Sequence, residues 1–311
     1  MNNFKDKRYN TYSRHLENIF GCKVYKITID AGFNCPNRDG TISKGGCIFC
    51  DDSGSFSRLY NNQLSIEDQL EAGVKKLTER FKAQKFISYF QAYTNTYAPV
   101  ETLKDIYDKA LNHKDVVGLS IGTRPDCVDP EKIDLISSYA ESQYVWIEYG
   151  LQSIHDRTLK IINRGHTAQD FLDAVKLTQN KGINICAHVI IGLPGETKKD
   201  VLETAKVLAD LGIDGVKIHI LCVLKGTPLE QIYYRGEYTP LTVDEYAETV
   251  CDFLEILPPE TTIHRLAGSG LNEILIAPVW LPEKFKSLTR IDRELEKRNS
   301  WQGKFYTERP K

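Results

Sequence analysis

Three cysteines within residues 35–50 are the part of the sequence best suited to hold a metal centre. Eleven residues separate Cys35 from Cys47 and two separate Cys47 from Cys50, and three glycines let this segment turn tightly. Three thiolates suit an iron–sulfur cluster that leaves one iron open to a small molecule, since ordinary electron-transfer clusters use four cysteines. Structural zinc is the alternative, and its fourth ligand would have to be His15 or Cys22, brought near by the fold.

The segments around these cysteines alternate between strand and helix. Each predicted strand is a short apolar run, and most are followed by an amphipathic helical segment. Such repeated units indicate a parallel sheet with right-handed crossovers. We predict an α/β fold, a partial (β/α)6 TIM barrel, with a doubly wound sheet as the competing topology. The strands are predicted at Val24–Asp30, Phe86–Gln91, Val116–Ile121, Tyr144–Tyr149, Ile183–Ile191 and Gly215–Leu221.

Composition and charge indicate a globular protein with basic ends. The 311 residues are 41% hydrophobic, no run approaches the roughly 18 apolar residues of a membrane span, and the polar start lacks a secretory signal. We therefore expect a cytoplasmic protein with no membrane partner. Residues 1–26 carry six basic against two acidic residues, and residues 283–311 carry nine against five. We assign residues 1–23 to a basic N-terminal extension, 24–225 to the barrel core, and 226–311 to a C-terminal helical extension that packs on the barrel.

Polar or glycine residues at the ends of successive strands form a second group of candidates. The carboxyl ends of parallel strands meet at one edge of the sheet, and barrels place their active sites there. Each motif alone is also compatible with a hydrogen-bonded turn or a surface ion pair, but five of them in order favour a shared site. The candidates are Gln91, Tyr93 and Thr94 after the second strand; Thr123 and Arg124 after the third; Glu148 and Gln152 at the fourth; Arg164 beyond it; and His188 and Gly192 at the fifth.

With these motifs the sequence resembles the radical S-adenosylmethionine (SAM) superfamily. The last two cysteines of that family are two residues apart with an aromatic before the last, a place that Phe49 fills. The long first gap and the turn Thr123-Arg124-Pro125-Asp126 resemble the Elongator catalytic-subunit branch. The resemblance implies a radical SAM type of partial barrel in which Cys35, Cys47 and Cys50 hold a [4Fe–4S] cluster that cleaves SAM to a 5′-deoxyadenosyl radical.

The resemblance also implies roles for the strand-end residues in binding SAM. The stretch with Gln91, Tyr93 and Thr94 corresponds to the position that binds the SAM amino group. Glu148 and Gln152 lie in a stretch similar to the one that contacts the SAM ribose. Arg164 can pair with the SAM carboxylate through two hydrogen bonds. Phe49, Thr123, Arg124, His188 and Gly192 complete the predicted cofactor-binding set. In the stretch from His188 to Gly192 the apolar residues can flank the adenine, and Gly192 allows close approach of the backbone.

From about Tyr9 to Gly303 the chain resembles a narrower family, the compact YhcC/YtqA-type radical SAM proteins. The resemblance includes Ala92–Pro99, His264-Arg265-Leu266 and Trp301-Gln302-Gly303. This family is similar to the MnmL enzymes, which implies conversion of a carboxymethylaminomethyl group to an aminomethyl group on wobble uridine-34 of tRNA. The implied partners are tRNA, a one-electron donor such as flavodoxin or ferredoxin, and a downstream methyltransferase.

Residues of the sixth strand and the basic ends are candidates for binding the substrate. Lys217 and His219 alternate on that strand, so both face one side, and we predict that they contact a substrate carboxylate or SAM, a buried polar network being the alternative. The basic ends, including Lys284, Lys286, Arg290 and Arg293, are predicted to follow tRNA phosphates. Two other functions remain open from the residues alone, a radical SAM reaction on a small-molecule metabolite and a zinc-bearing RNA-binding module.

Overall fold

Seven parallel strands form the central sheet. The structure is a computed structural model and describes residues 7–51, 64–268, 273–283 and 285–307. Most strand residues are buried, because helices cover the outer face of the sheet and side chains fill the inner face. In chain order the strands are β1 (Val24–Ile29), β2 (Lys85–Phe90), β3 (Val116–Thr123), β4 (Tyr144–Gln152), β5 (Asn184–Ile191), β6 (Gly215–Ile220), β7 (Val223–Leu224), β8 (Thr262–Arg265) and β9 (Leu275–Ala277).

The helices lie between the strands and begin at caps that the sequence supplies. Thr167 and Thr242 each form a capping box with an acidic residue of the first helical turn. Gly21 and Gly212 end helices in the left-handed conformation. The helices are α1 (Tyr12–Phe20), α2 (Ile66–Phe81), α3 (Val100–Leu111), α4 (Pro130–Ala140), α5 (Asp156–Ile161), α6 (Ala168–Thr178), α7 (Lys198–Leu211), α8 (Pro228–Tyr234), α9 (Val243–Ile256) and α10 (Lys286–Lys297), with a 3₁₀ turn at Pro125–Cys127.

The strand order follows the chain without reversal. The sheet runs β1-β2-β3-β4-β5-β6-β8, and every neighbouring pair is parallel. A doubly wound sheet reverses its strand order at a switch point, so the competing topology is wrong. The sheet curls into an open half-barrel, which confirms the predicted α/β partial barrel of the radical SAM type.

The sheet has seven strands where six were predicted. The additional strand, β8, pairs with β6 in parallel and lies within the region assigned to the C-terminal extension. Its four residues follow a proline pair and are too short to give a period-two pattern of their own. The barrel core therefore draws a strand from beyond residue 225, whereas β7 and β9 form a separate antiparallel pair.

The segments at both ends of the described chain meet beside β8. The backbone amide of Ile263 donates to Asn10 O at 2.7 Å, and α1 contacts both β1 and β8. The Gln302 amide is fully buried, donates to Pro258 O at 2.6 Å and accepts from the Asn10 amide at 2.9 Å. Residues around the Trp301-Gln302-Gly303 motif thus pack against the barrel and tie the N-terminal segment to its open side.

All strands of the sheet point the same way, so the loops after β1 to β6 meet at one edge, which we call the carboxyl edge. The cysteine segment follows β1 there, and the turns after β2, β3, β4 and β5 lie alongside it. Among the described helices, none has the length and apolar character needed to cross a membrane.

Candidate active site

The cysteine segment folds as a series of tight turns at the carboxyl edge. The Arg38 amide donates to Cys35 O at 2.8 Å, and the Cys50 amide donates to Cys47 O at 3.0 Å. The Ile48 amide donates to Ile162 O at 3.0 Å, which joins the segment to the end of α5. Cys47 is buried, and Cys35 and Cys50 are half-buried. These turns fix the backbone of all three cysteines.

Nitrogen donors surround two of the three sulfurs. Asn37 Nδ2 and Arg164 Nη1 both lie 3.7 Å from Cys47 Sγ, and Arg38 Nη1 lies 3.7 Å from Cys50 Sγ. Two of these donors are guanidinium groups, which donate charge-assisted hydrogen bonds. The surroundings therefore suit thiolates that bind a metal centre, with outer hydrogen bonds that orient them.

The spacing of the sulfurs favours a cluster over a single zinc ion. Thiolates around one zinc, at about 2.3 Å each, lie roughly 3.8 Å apart. Three-residue groups of ligand atoms within 4.8 Å of one another occur at two places in the described chain, around Glu148 and around Asp200, and the cysteine triad is at neither. Iron–sulfur clusters spread their cysteine ligands over several irons, so the wider triad fits one.

The proposed fourth zinc ligands lie at the opposite edge of the sheet. His15 Nε2 is 2.5 Å from Tyr144 Oη, and Tyr144 is the first residue of β4. Cys22 directly precedes β1, whereas the cysteine segment follows it. Neither residue can join the three cysteines, which leaves the zinc alternative without a complete ligand set from these candidates.

Arg164 lies beside the cysteine sulfur, with partners from the protein itself. Its Nε donates to His166 Nε2 at 2.9 Å and its Nη2 to Gly150 O at 2.8 Å, in addition to the contact with Cys47. The side chain is buried. To form two hydrogen bonds with the SAM carboxylate, Arg164 would have to give up some of these partners. The geometry therefore favours a role for Arg164 in positioning Cys47.

The Thr-Arg-Pro-Asp turn after β3 is internally paired. Arg124 donates to both carboxylate oxygens of Asp126, at 2.9 and 2.7 Å, and its Nη1 donates to Arg164 O at 2.8 Å. The Thr123 hydroxyl contacts that of Thr96 at 2.6 Å. Thr123 and Arg124 are thus brought to the site, but their described contacts hold neighbouring turns together and show no free group directed at SAM.

The turn after β2 presents polar atoms without partners. Thr94 Oγ1 and Asn95 Oδ1 are buried and have no hydrogen-bond partner in the described part of the chain. Tyr93 adopts φ 58°, a conformation that non-glycine residues rarely hold, with its ring 5.9 Å from the Arg38 guanidinium. Gln91 precedes it and is half-buried. Buried polar atoms without partners are costly, so this turn is the best-placed described segment to bind a polar cofactor group.

Three other predicted cofactor residues also lie at the carboxyl edge. Phe49 is half-buried and packs on a small apolar cluster that includes Leu159. Gln152 ends β4 with φ 73°. Gly192 has φ 90°, and its carbonyl accepts from Tyr238 Oη at 2.9 Å. The positive φ explains the glycine, and the three positions remain predicted contacts of SAM.

Glu148 lies inside the half-barrel and not at the end of its strand. The sequence placed the end of the strand at Tyr149, but β4 continues to Gln152, so the fully buried Glu148 sits in mid-strand. Its carboxylate oxygens contact side chains from most other strands of the sheet. Because these contacts use the carboxylate, the predicted hydrogen bond from Glu148 to the SAM ribose does not fit the structure. The partners are Lys26 Nζ, Ser120 Oγ at 2.7 Å, Tyr89 Oη at 3.1 Å, Lys217 Nζ at 3.1 Å and His188 Nε2 at 2.6 Å.

The charge state of this network follows from burial and its lysines. Burial alone would raise the pKa of Glu148, but Lys217 and Lys26 outweigh it and hold that pKa well below its usual range. Burial lowers the pKa of Lys217 to about 8, against the opposing effect of Glu148. Burial also lowers the pKa of His188 to about 4 and that of His219 well below its usual value. At neutral pH the two histidines are uncharged, and the lysine is mostly charged.

Sequence reasoning found Lys217, His219 and His188 but missed other members of the interior. Lys26, Tyr89 and Arg265 come from β1, β2 and β8, and their grouping around Glu148 depends on the curvature of the sheet. The signal that was available is the alternation of polar residues within otherwise apolar strands. Arg265 lies in the His264-Arg265-Leu266 motif. Because β8 was not predicted, the sequence did not indicate which side of the sheet Arg265 faces.

Replacing Cys35, Cys47 or Cys50 by alanine is expected to abolish the bound cluster, because each supplies one of three thiolates. The measurement is iron and sulfide per chain after anaerobic reconstitution. Cys251→Ala and Cys127→Ala are the controls, since burial raises the pKa of both thiols to about 12 and keeps them protonated. Full iron content in Cys47→Ala would contradict the ligand assignment.

Glu148→Gln is expected to lower the free energy of unfolding by roughly 3–5 kcal/mol near pH 7, because it leaves buried lysines uncompensated. The folded-state pKa of Lys217 then falls further below 8, so the variant releases its proton at lower pH than the wild type. The difference in the free energy of unfolding between the wild type and Glu148→Gln should therefore shrink as pH rises towards about 8 and level off above it. Denaturant unfolding across this pH range measures both effects.

Glu283→Gln provides the matched control, because Glu283 forms an exposed ion pair with Lys286 at 2.9 Å. Such a pair contributes about 0–1 kcal/mol. A Glu148→Gln deficit no larger than that of the control would show that the interior network does not depend on this carboxylate.

Comparison with known proteins extends these observations. The Radical SAM superfamily model matches residues 35–233, and the Radical_SAM C-terminal domain model matches residues 213–297. The YtqA protein of Bacillus subtilis (strain 168) is 44% identical over 301 residues, covering 97% of this chain and 94% of that protein. The YhcC protein of Escherichia coli (strain K12) is 38% identical over 290 residues, covering 93% of each.

More distant relatives share about half of the sequence or the fold. The tRNA uridine(34) acetyltransferase of Dehalococcoides mccartyi (strain CBDB1) is 31% identical over 170 residues, covering 54% of this chain and 36% of that protein. The solved structure of Methanocaldococcus infernus Elp3 matches with a TM-score of 0.65 at 20% identity, covering 90% of this chain and 64% of that one. The chain is therefore an enzyme of the radical SAM superfamily, whose members use a [4Fe–4S] cluster and SAM, and it is related to the Elp3 and tRNA uridine(34) acetyltransferase branch.

Proposed function

We propose that this enzyme converts the carboxymethylaminomethyl group on carbon 5 of tRNA wobble uridine-34 into an aminomethyl group. The observation that carries the proposal is the surplus of positive charge inside the half-barrel. There Lys26, Lys217 and Arg265 face one carboxylate among the described residues, that of Glu148. Such an interior suits a substrate with a carboxylate. Support for tRNA comes from the relative named for acetylating uridine-34, which shares about half of this chain.

The conversion is an oxidative loss of the carboxymethyl group from nitrogen. One hydrogen atom and one electron leave the methylene carbon between the nitrogen and the carboxylate. Water then hydrolyses the resulting iminium, breaking the carbon–nitrogen bond and giving the aminomethyl group and glyoxylate. The hydrogen atom would end in 5′-deoxyadenosine, and the electron would return to the cluster, where it replaces the one spent on SAM. The two-electron oxidation is thus balanced by conversion of SAM to methionine and 5′-deoxyadenosine. When bound, the cluster and SAM supply the radical that accepts the hydrogen, and an external donor such as flavodoxin or ferredoxin supplies the starting electron.

The chain's own residues position and shield this chemistry. Cys35, Cys47 and Cys50 hold the cluster, while Arg164 orients the sulfur of Cys47. The turn with Thr94 and its neighbours offers unpartnered polar atoms to SAM. The buried inner face shields a carbon radical from stray reactions and strengthens charge interactions.

Tyrosines near the carboxyl edge are candidates for stacking on a flipped base. Tyr93 and Tyr97 are half-buried beside the cysteine segment, and Tyr97 Oη lies 2.9 Å from Thr41 Oγ1. Tyr149, in contrast, is fully buried and bonded to Thr178 at 2.7 Å, so it belongs to the core. Of these three, Tyr93 and Tyr97 are therefore the ones that we propose to stack on the base.

The basic surface of α10 is the proposed contact for tRNA phosphates. Lys286 pairs with Glu283 at 2.9 Å and Arg290 with Asp244 at 2.5 Å. Arg293 is exposed and forms no ion pair in the described part of the chain. Exposed pairs of this kind are weak and exchange readily for phosphates. Lys284, which also belongs to the predicted basic surface, lies outside the described residues.

Cells that lack this enzyme are expected to accumulate carboxymethylaminomethyl-type wobble uridines and to lose the aminomethyl-type product and its methylated derivative. The measurement is nucleoside analysis of total tRNA from deletion and wild-type cells. Complementation with the Cys47→Ala variant is the control and should not restore the product. Identical nucleosides in both strains, with cluster and SAM bound by the purified protein, would favour a small-molecule substrate instead.

Changing Lys286, Arg290 and Arg293 together to glutamine is expected to weaken tRNA binding and flatten its salt dependence. Each lost phosphate contact should reduce the slope of log affinity against log salt by roughly 0.7–0.9. The measurement is tRNA affinity across a salt series.

A variant with Lys104, Lys109 and Lys181 changed to glutamine is the matched control for the α10 variant. These lysines are also exposed and ion-paired, but they belong to the segments around α3 and α6 on the outer face. Equal slopes for the α10 variant and this control would exclude α10 from the tRNA contact.

A further inference from the structure

Arg265 is the cation of the half-barrel interior that lacks a carboxylate partner. Lys26 and Lys217 both contact Glu148, but Arg265 has no hydrogen bond or ion pair in the described part of the chain. It is the register partner of Lys217, which is in turn the register partner of His188. The register shifts between Val216 and Lys217, so His264 is the extra residue of a bulge and Arg265 is the residue aligned with Lys217. Arg265 therefore stands in the row of side chains that lines the inner face.

The electrostatic effects of Arg265 place its charge in the same chamber. Burial lowers the pKa of Lys217 to about 8, and the positive charge of Arg265 adds to this lowering while Glu148 opposes it. The same charge acts on Tyr89 and His219. With the histidines uncharged, Lys26, Lys217 and Arg265 carry three positive charges against one negative charge on Glu148. A half-buried guanidinium without a counter-ion is costly for the empty protein and favourable once an anion arrives.

We propose that Arg265, together with Lys217, forms the binding site for the carboxylate of the substrate side chain. This rests on the proposed function and names the part of the substrate that the interior recognises. The guanidinium presents paired donors that match a carboxylate, and Lys217 adds a point charge beside it. Arg265 thus determines specificity, because it favours binding of a carboxymethylaminomethyl group over an aminomethyl group, which has no carboxylate.

SAM also carries a carboxylate, but the position of Arg265 favours the substrate. Bound SAM would meet the cluster at the cysteine segment that would hold it, and this segment lies in the loop after β1 at the carboxyl edge. Lys217 lies within β6, well before its last residue Ile220, and Arg265 is paired with it across the sheet. The interior cations therefore lie below the edge at which the cluster is held.

The test compares two tRNAs that differ only in the wobble side chain, carboxymethylaminomethyl or aminomethyl. Their affinities are measured for the reconstituted enzyme with SAM and without reductant, so no turnover occurs. The wild type should prefer the carboxylate-bearing tRNA, and Arg265→Gln should reduce that preference by roughly tenfold to a hundredfold. Arg265→Lys should retain part of it, because it keeps the charge but not the paired donors.

Arg80→Gln is the matched control, since Arg80 is an exposed arginine in the last turn of α2. It should keep the wild-type preference. Because Arg265 forms no ion pair in the described chain, Arg265→Gln should unfold at a denaturant concentration no lower than the wild type, whereas loss of a structural arginine would lower it. If Arg265→Gln fails to fold, the preference of Arg265→Lys still decides the question.

Two results overturn the inference and leave the proposed function intact. One is conversion of the tRNA by the wild type upon reduction, with full carboxylate preference kept in Arg265→Gln and Arg265→Lys. The other is a matching loss of SAM affinity in Arg265→Gln, which would assign this residue to the SAM carboxylate. Failure of the wild type to convert or distinguish either tRNA, with cluster and SAM bound, instead contradicts the proposed function itself.

Discussion

Glu148 places a negative charge inside the sheet where solvent does not reach, and the arrangement of the interior depends on it. A buried carboxylate is tolerated only with charged or hydrogen-bonding partners, and here they come from β1, β2, β3, β5 and β6. These contacts cross the concave face and hold the strands in a curled arrangement. They also keep Lys217 oriented and charged at neutral pH, next to Arg265, which has no ion pair within the described ranges.

The carboxyl edge depends on a second set of contacts that begins at one cysteine. Cys47 accepts from Asn37 and Arg164, and Arg124 holds the backbone carbonyl of Arg164 while pairing with Asp126. The turns after β1, β3 and β4 are therefore coupled through the sulfur of Cys47, a predicted cluster ligand. This explains why motifs that resemble cofactor contacts in the sequence serve, in the described structure, partly to position this cysteine.

The sequence was informative wherever a local pattern determined the structure. Spacing identified the cysteine triad, and apolar periodicity located six strands, because both signals lie within a few residues. The residues that were missed meet across the fold: Lys26 reaches Glu148 only because the sheet curls, and Arg265 required the recognition of the four-residue β8. The mid-strand position of Glu148 was missed because β4 extends to Gln152. Such errors follow from strand boundaries and tertiary contacts, which local patterns do not encode.

The central claim is that a radical formed at the cluster removes hydrogen from the methylene group beside the substrate carboxylate. The most direct measurement uses tRNA whose wobble carboxymethylaminomethyl group carries deuterium at that methylene carbon, incubated with reduced enzyme and SAM. The account predicts that deuterium appears in 5′-deoxyadenosine while the aminomethyl product accumulates. Formation of 5′-deoxyadenosine without deuterium, in the presence of this tRNA, would contradict it.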